Sequence, residues 1–85
     1  MEDKMFKAIA RELRVLRAEA NYSQEELASK TKVSKYSIMR YEQGITDMKL
    51  NSLAKIIEPY GIDLYIFFRR IIAKMQKERL DDWED

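Results

Sequence analysis

Two serine caps stand eleven residues apart in the stretch YSQEELASKTKVSKYSIMRYEQG, residues 22–44, and each precedes a short run of helix-forming residues. Ser23 can accept from the amide of Glu26 while the Glu26 side chain returns to the amide of Ser23, a reciprocal capping box. Tyr22, just before the cap, is placed to pack on Leu27 as a hydrophobic staple. Ser34 repeats the device, with Val33 before it and Ile38 four residues beyond, but Ser37 occupies the position where Glu26 stood. That choice suits a helix start that must face phosphate rather than close a capping box. The first of these helices is expected over about residues 24–31 and the second over about 35–42, with Gly44 ending the latter in the left-handed conformation that glycine tolerates best. Only Lys32 and Val33 separate the two units. Boundaries drawn this firmly around helices that bury so little surface imply that the angle between them matters. A helix-turn-helix unit has that need: one helix braces, the other is pushed into the DNA major groove.

The rest of the chain reads as helix. Phe6, Ile9, Leu13, Leu16 and Ala20 form one stripe of an amphipathic helix over about residues 3–19, with Lys7, Arg11, Glu12 and Arg14 outside it. Leu50, Leu53, Ala54, Ile56 and Ile57 mark a fourth helix at about 49–58, closed by Pro59 and Gly61. Asp63 can cap a fifth helix from Leu64 to about Leu80, on one face of which lie Leu64, Phe67, Phe68, Ile71, Ile72 and Met75. The acidic end, DDWED, is expected to fray. With two glycines and one proline in 85 residues, the connections must be short turns.

Composition narrows the chemistry. The chain has neither cysteine nor histidine, which removes disulfides, thiolate metal sites and an imidazole base. With no glycine-rich phosphate loop either, no enzyme, metal or cofactor is expected. No apolar run is long enough to cross a membrane, and the charged start MEDKMFKAIARELR is unlike a signal peptide, so a cytoplasmic protein is expected. The net charge of +1 is uninformative. Residues 1–49 carry 10 basic and 8 acidic side chains and residues 50–85 carry 6 and 7, so any anion-binding surface must come from local clustering.

The ordered set Ser23-Gln24-Glu25-Glu26-Leu27-Ala28, Val33-Ser34, Ile38 and Tyr41-Glu42-Gln43-Gly44, followed by Leu50, Leu53, Ile56 and Gly61-Ile62-Asp63-Leu64, resembles the helix-turn-helix domains of lambda-type phage repressors and Cro proteins, the Cro/xenobiotic-response-element family. The resemblance covers roughly residues 7–68. It implies an all-α, five-helix lambda-repressor-like DNA-binding domain. Residues 1–62 would form the helix-turn-helix part, and residues 63–85 a C-terminal helix with dimerisation extension and acidic tail. It also implies double-stranded DNA as partner. Carried over position by position, Gln24 would meet a phosphate, and Ser34, Lys35, Tyr36 and Arg40 fall where bases and adjacent phosphates are contacted, with Ser37 and Met39 beside them. Arg17 and Glu42 match a semi-buried ion pair between the first and third helices. Lys32 departs from the pattern, since glycine is common at that turn and a left-handed lysine costs about 1 kcal/mol. The chemistry agrees: Arg40 can fork onto guanine O6 and N7, Lys35 can donate to guanine or phosphate, and Tyr36 can meet a thymine methyl or a phosphate.

The stretch LYIFFRRII, Leu64 to Ile72, is apolar beyond one helical face, and apolar surface of that extent marks an interaction site. The expected use is a homodimer interface through Leu64, Phe67, Phe68, Ile71, Ile72 and Met75, which would set two recognition helices about 34 Å apart on a palindromic operator. A strand over Tyr65–Phe68, as in some antitoxins of the family, is the structural alternative. The functional expectation is a repressor. The rivals are an antitoxin holding a toxin on the fifth helix or the acidic tail, or a helical bundle that binds only proteins. An antirepressor is a further protein partner to expect. A membrane-surface role ranks below these, because Asp81, Asp82, Glu84 and Asp85 oppose an anionic surface.

Overall fold

The computed structural model describes residues 4–44 and 47–83, with side chains as far as Glu78. Five helices follow one another: α1 (Lys4–Ala20), α2 (Gln24–Thr31), α3 (Lys35–Gln43), α4 (Leu50–Ile57), a 3₁₀ turn over Glu58–Tyr60, and α5 (Leu64–Trp83). No strand occurs among the described residues. The all-α expectation holds, and the strand alternative for Tyr65–Phe68 falls. There the Asp63 carboxylate accepts from the Ile66 amide at 2.9 Å and starts a helix instead. That helix outlasts the expected end: it continues through Trp83, while Glu84 and Asp85 lie outside the described residues.

The caps form as their sequence dictates. The Glu26 amide donates to Ser23 Oγ at 3.0 Å, and the Ser23 amide donates to Glu26 Oε1 at 3.0 Å. The Ser37 amide donates to Ser34 Oγ at 3.1 Å, and the two hydroxyls are themselves bonded at 3.0 Å. Lys32 takes the left-handed conformation, φ +62°, and sends its amide to the Ala28 carbonyl. Gly44 does the same at φ +68°, bonding Arg40 and Tyr41 carbonyls. A Cβ there would sit 3.1 Å from the Phe6 carbonyl oxygen and 3.2 Å from Ala10 Cβ, so the end of α3 lies close against α1 and a side chain at this left-handed position would push on it. Tyr22 packs at the edge of the core with its ring stacked on Tyr60, centroids 6.0 Å apart.

One core joins all five helices, centred on Leu13, Leu27, Ile38, Leu53, Ile57 and Phe67. Two expectations are corrected here. Phe67 (0% exposed) and Ile71 (2%) belong to this core and not to a dimer interface. Burying a side chain of that size contributes about 1.5–3 kcal/mol, which the protomer uses for itself. Glu12, expected outside the α1 stripe, is 2% exposed. The physical reason is α5: it runs back along α1, placing Arg70 against Glu12 and Glu19, Lys74 against Glu12, and Glu78 against Arg11. Periodicity within α1 cannot reveal a face that a distant helix covers.

Candidate nucleic-acid interface

The exposed face of α3 begins at its cap. Ser34, Lys35 and Tyr36 are exposed, and Ser37, Met39 and Arg40 are half-buried. Tyr36, 63% exposed, and Arg40 lie one helical turn apart. Arg40 Nη1 donates to Tyr36 Oη at 3.3 Å, and the guanidinium carbon stands 5.5 Å from the ring centroid. The aromatic ring thus holds the guanidinium on the solvent side of α3, and among the described residues its remaining N–H donors meet no partner. At the first position of α3, Lys35 Nζ lies 3.0 Å from Glu25 Oε1 of α2. That contact holds the Glu25 carboxyl below the usual carboxylate range, first through the hydrogen bond and then through the charge.

A half-buried ion pair, its carboxylate enclosed, ties α3 to α1. Glu42 is 5% exposed. Its carboxylate accepts from Arg17 Nε at 2.8 Å and from Arg17 Nη2 at 3.0 Å, a two-pronged contact. Arg17 also donates to the Tyr22 carbonyl at 3.0 Å, and Arg14 donates to the Glu42 carbonyl. The hydrogen bond to Glu42 raises the Arg17 pKa against the opposing effect of burial. Gln24, at the start of α2, sends Nε2 to Glu42 Oε1 at 3.2 Å. One carboxylate therefore ties α1, the start of α2 and the end of α3 together. Beside it, burial pushes the Tyr60 hydroxyl up to about 12.

The model of the family described as "Helix-turn-helix domain" matches residues 8–64, from α1 to the start of α5. The chain belongs to the helix-turn-helix domain family. The resemblance read from the sequence is borne out. No curated protein matches the chain. Among solved structures, a point mutant of the restriction-modification controller protein C.Esp1396I is 23% identical, covering 91% of this chain and 98% of its own, with a TM-score of 0.80. The C.Esp1396I tetramer bound to its natural 35 base-pair operator is 21% identical over 88% of this chain and 99% of its own, TM-score 0.79. The clp gene regulator ClgR from Corynebacterium glutamicum is 21% identical over 96% of this chain and 87% of its own, TM-score 0.80. These likenesses show a shared fold.

Within this helix-turn-helix chain, the Arg17–Glu42 pair forms as the family pattern implied, Tyr36 and Arg40 are in contact one turn apart, and Lys35 stands exposed at the start of α3. Three participants escaped sequence reasoning: Glu25 on Lys35, Arg14 on the Glu42 carbonyl, and the use of Gln24 on Glu42. All are contacts between helices, without a local spacing signal. The expected interface on α5 divides. Phe67 and Ile71 are core, while Leu64, Phe68 and Met75 are half-buried and Ile72 is exposed. Leu64, Phe68 and Ile72 join Leu50 and Tyr65 around an open apolar hollow of about 590 Å³. Leu50 and Tyr65, 61% and 70% exposed, were not expected on it. Among the described residues, no group of carboxylates is placed to hold a metal ion, and no helix is long and apolar enough to cross a membrane.

Proposed function

We propose that this helix-turn-helix protein is a sequence-specific, DNA-binding transcriptional regulator, a cytoplasmic repressor that binds a palindromic operator as a homodimer. The observation that carries the reading is the contact between the exposed Tyr36 and the half-buried Arg40 on an α3 whose end is tied down by Arg17 and Glu42. With α3 in the major groove, the Arg40 guanidinium reaches guanine O6 and N7, the commonest specific contact there. Lys35 donates to guanine or phosphate, and Tyr36 meets a thymine methyl or a phosphate. Ser34, Ser37 and Met39 line the same approach. Gln24 spends one N–H on Glu42 and keeps the other for a phosphate oxygen.

The second copy docks on the apolar face of α4 and α5, where Leu50, Leu64, Tyr65, Phe68 and Ile72 need cover. Two-fold pairing would set the α3 helices about 34 Å apart, one turn of DNA. The similarly folded C.Esp1396I, bound to its operator as a tetramer, supports extending this mode to the present chain.

Selection of bound duplexes from a random pool at about 0.1–0.15 M salt tests the reading. An enriched inverted repeat with half-site centres about 10 base pairs apart, or a multiple of a turn, is the expected result. A pool that stays random, with weak salt-sensitive binding only, would remove sequence-specific repression.

A further inference from the structure

The Lys35–Glu25 contact places a carboxylate on the face read above as the DNA surface, and this inference rests on that reading. Both groups are open to solvent, with 54% and 69% of their side chains exposed, and they lie 3.0 Å apart. Glu25 belongs to the first turn of α2 and Lys35 to the first turn of α3, so their pairing spans the turn between the two helices. The lysine's neighbours on α3, Ser34, Tyr36 and Ser37, carry no charge that could replace Glu25 as a partner.

We propose that Glu25 is a specificity-determining residue: it occupies the Lys35 ammonium in the free protein and lets it go only where DNA offers the ammonium more than one acceptor. Non-specific binding is an electrostatic contact with the backbone and grows with each cation that neutralises a phosphate. Exchanging the Glu25 carboxylate for a single phosphate replaces one anion by another. It also leaves Glu25 unpaired against the polyanion. Lys35 therefore adds nothing to binding at an arbitrary sequence. The same release of Glu25 accompanies a contact with guanine, but there two fixed acceptors, O6 and N7, meet the ammonium inside the groove, and the two contacts together offset the lost pair. Glu25 thereby withholds one cation from the sequence-blind contribution and reserves it for base reading.

The test is Glu25→Gln, which keeps the shape of an exposed side chain, measured against wild type on the operator recovered by selection and on a scrambled duplex of the same length over a salt series. On scrambled DNA the variant is expected to bind about 3–10-fold tighter at low salt, with a salt slope steeper by about 0.9, one extra phosphate neutralised. On the operator the slope stays at its wild-type value, so the specificity ratio falls. Lys35→Ala introduced into Glu25→Gln is expected to abolish the extra slope. Equal changes on both duplexes, no change on either, or a gain that survives Lys35→Ala overturns the inference while leaving the regulator reading intact. A wild-type protein that selects no sequence overturns both. Helical circular dichroism and melting of each variant separate a binding effect from loss of fold.

Discussion

Lys74 Nζ lies 2.6 Å from Oε1 of Glu12, a carboxylate on α1 that is 2% exposed, and Arg70 Nη2 stands 2.8 Å from the other oxygen. The arginine contact is one of charge, since Oε2 accepts no hydrogen bond among the described residues. The partners are unequal: Glu12 is enclosed, whereas Arg70 and Lys74 keep 35% and 51% of their side chains in solvent. Removing the cations strands a buried charge, but removing the carboxylate leaves cations that water can serve. The double variant Arg70→Ala/Lys74→Ala is therefore expected to lose about 3–5 kcal/mol, a large fraction of the roughly 5–15 kcal/mol that holds a folded domain together. Glu12→Gln should lose only about 1–2 kcal/mol, the scale of one exchanged polar contact. Urea unfolding of the three proteins measures the order; equal losses would show that the ion cluster does not fix α5 on α1.

Tyr60 presents a different kind of buried polar group. Its hydroxyl is enclosed and finds no hydrogen-bond partner among the described residues, and burial raises its pKa from 10.0 to about 12. The folded-state value is above the unfolded one, so the neutral phenol's contribution to stability is complete below pH 10 and is lost as pH rises through about 12. Tyr60→Phe keeps the ring stacked on Tyr22 and removes the orphan oxygen. Its melting temperature at pH 7 should equal or exceed that of wild type. Between pH 10 and 12 the wild type should lose stability faster than the variant. Parallel curves in that window would mean that the hydroxyl is hydrated.

Lys32 and Gly44 occupy equivalent places, each ending a helix in the left-handed region. At Lys32 the side chain brings a cost of about 1–2 kcal/mol for φ +62°, offset in part by the extra unfolded-state freedom a glycine would introduce. Lys32→Gly should stabilise the protein by up to about 1 kcal/mol. Gly44→Ala should destabilise it well beyond the conformational cost, because the added methyl meets the Phe6 carbonyl and Ala10 of α1. Thermal unfolding of both variants checks the signs; a destabilised Lys32→Gly would mean that the lysine makes a compensating contact.

The sequence made the local features legible. The capping box at Ser23, the cap at Ser34, the glycine at 44 and the Asp63 start of α5 are all set by residues three or four positions apart, and each is present in the fold. The ion pair Arg17–Glu42, twenty-five positions apart, came only from family resemblance, because no local pattern encodes it. What was missed depends on the same long-range geometry. α5 lies along α1, so a residue on the polar side of one helix is buried by the other, and apolar residues expected to face a second copy fill the protomer's own core. The pairing of Lys35 with Glu25 joins the first turns of α2 and α3, ten positions apart, and the spacing within neither helix encodes it.

Arg40 is held by Tyr36 before any DNA arrives, through a 3.3 Å hydrogen bond and a ring 5.5 Å from the guanidinium carbon. On the proposed reading, Arg40→Ala removes the guanine contact, weakening the selected operator by about 1–3 kcal/mol and relaxing preference at one base pair. Tyr36→Phe leaves the ring under the guanidinium and removes only the hydrogen bond that orients it. It should cost less affinity than Arg40→Ala and keep the preference at the Arg40 base pair, because the guanidinium is still there to read it. Tyr36→Ala frees the side chain, and Arg40 must then be ordered at the moment of binding, an entropic cost of about 0.5–1.5 kcal/mol for a long side chain. Affinities for the operator and for single-base variants of it, measured for the four proteins at one salt concentration, give both the losses and the positions at which discrimination is lost. If Tyr36→Ala abolishes preference at a base pair other than the one assigned to Arg40, the tyrosine reads DNA itself, and its contact with Arg40 serves two readers instead of positioning one.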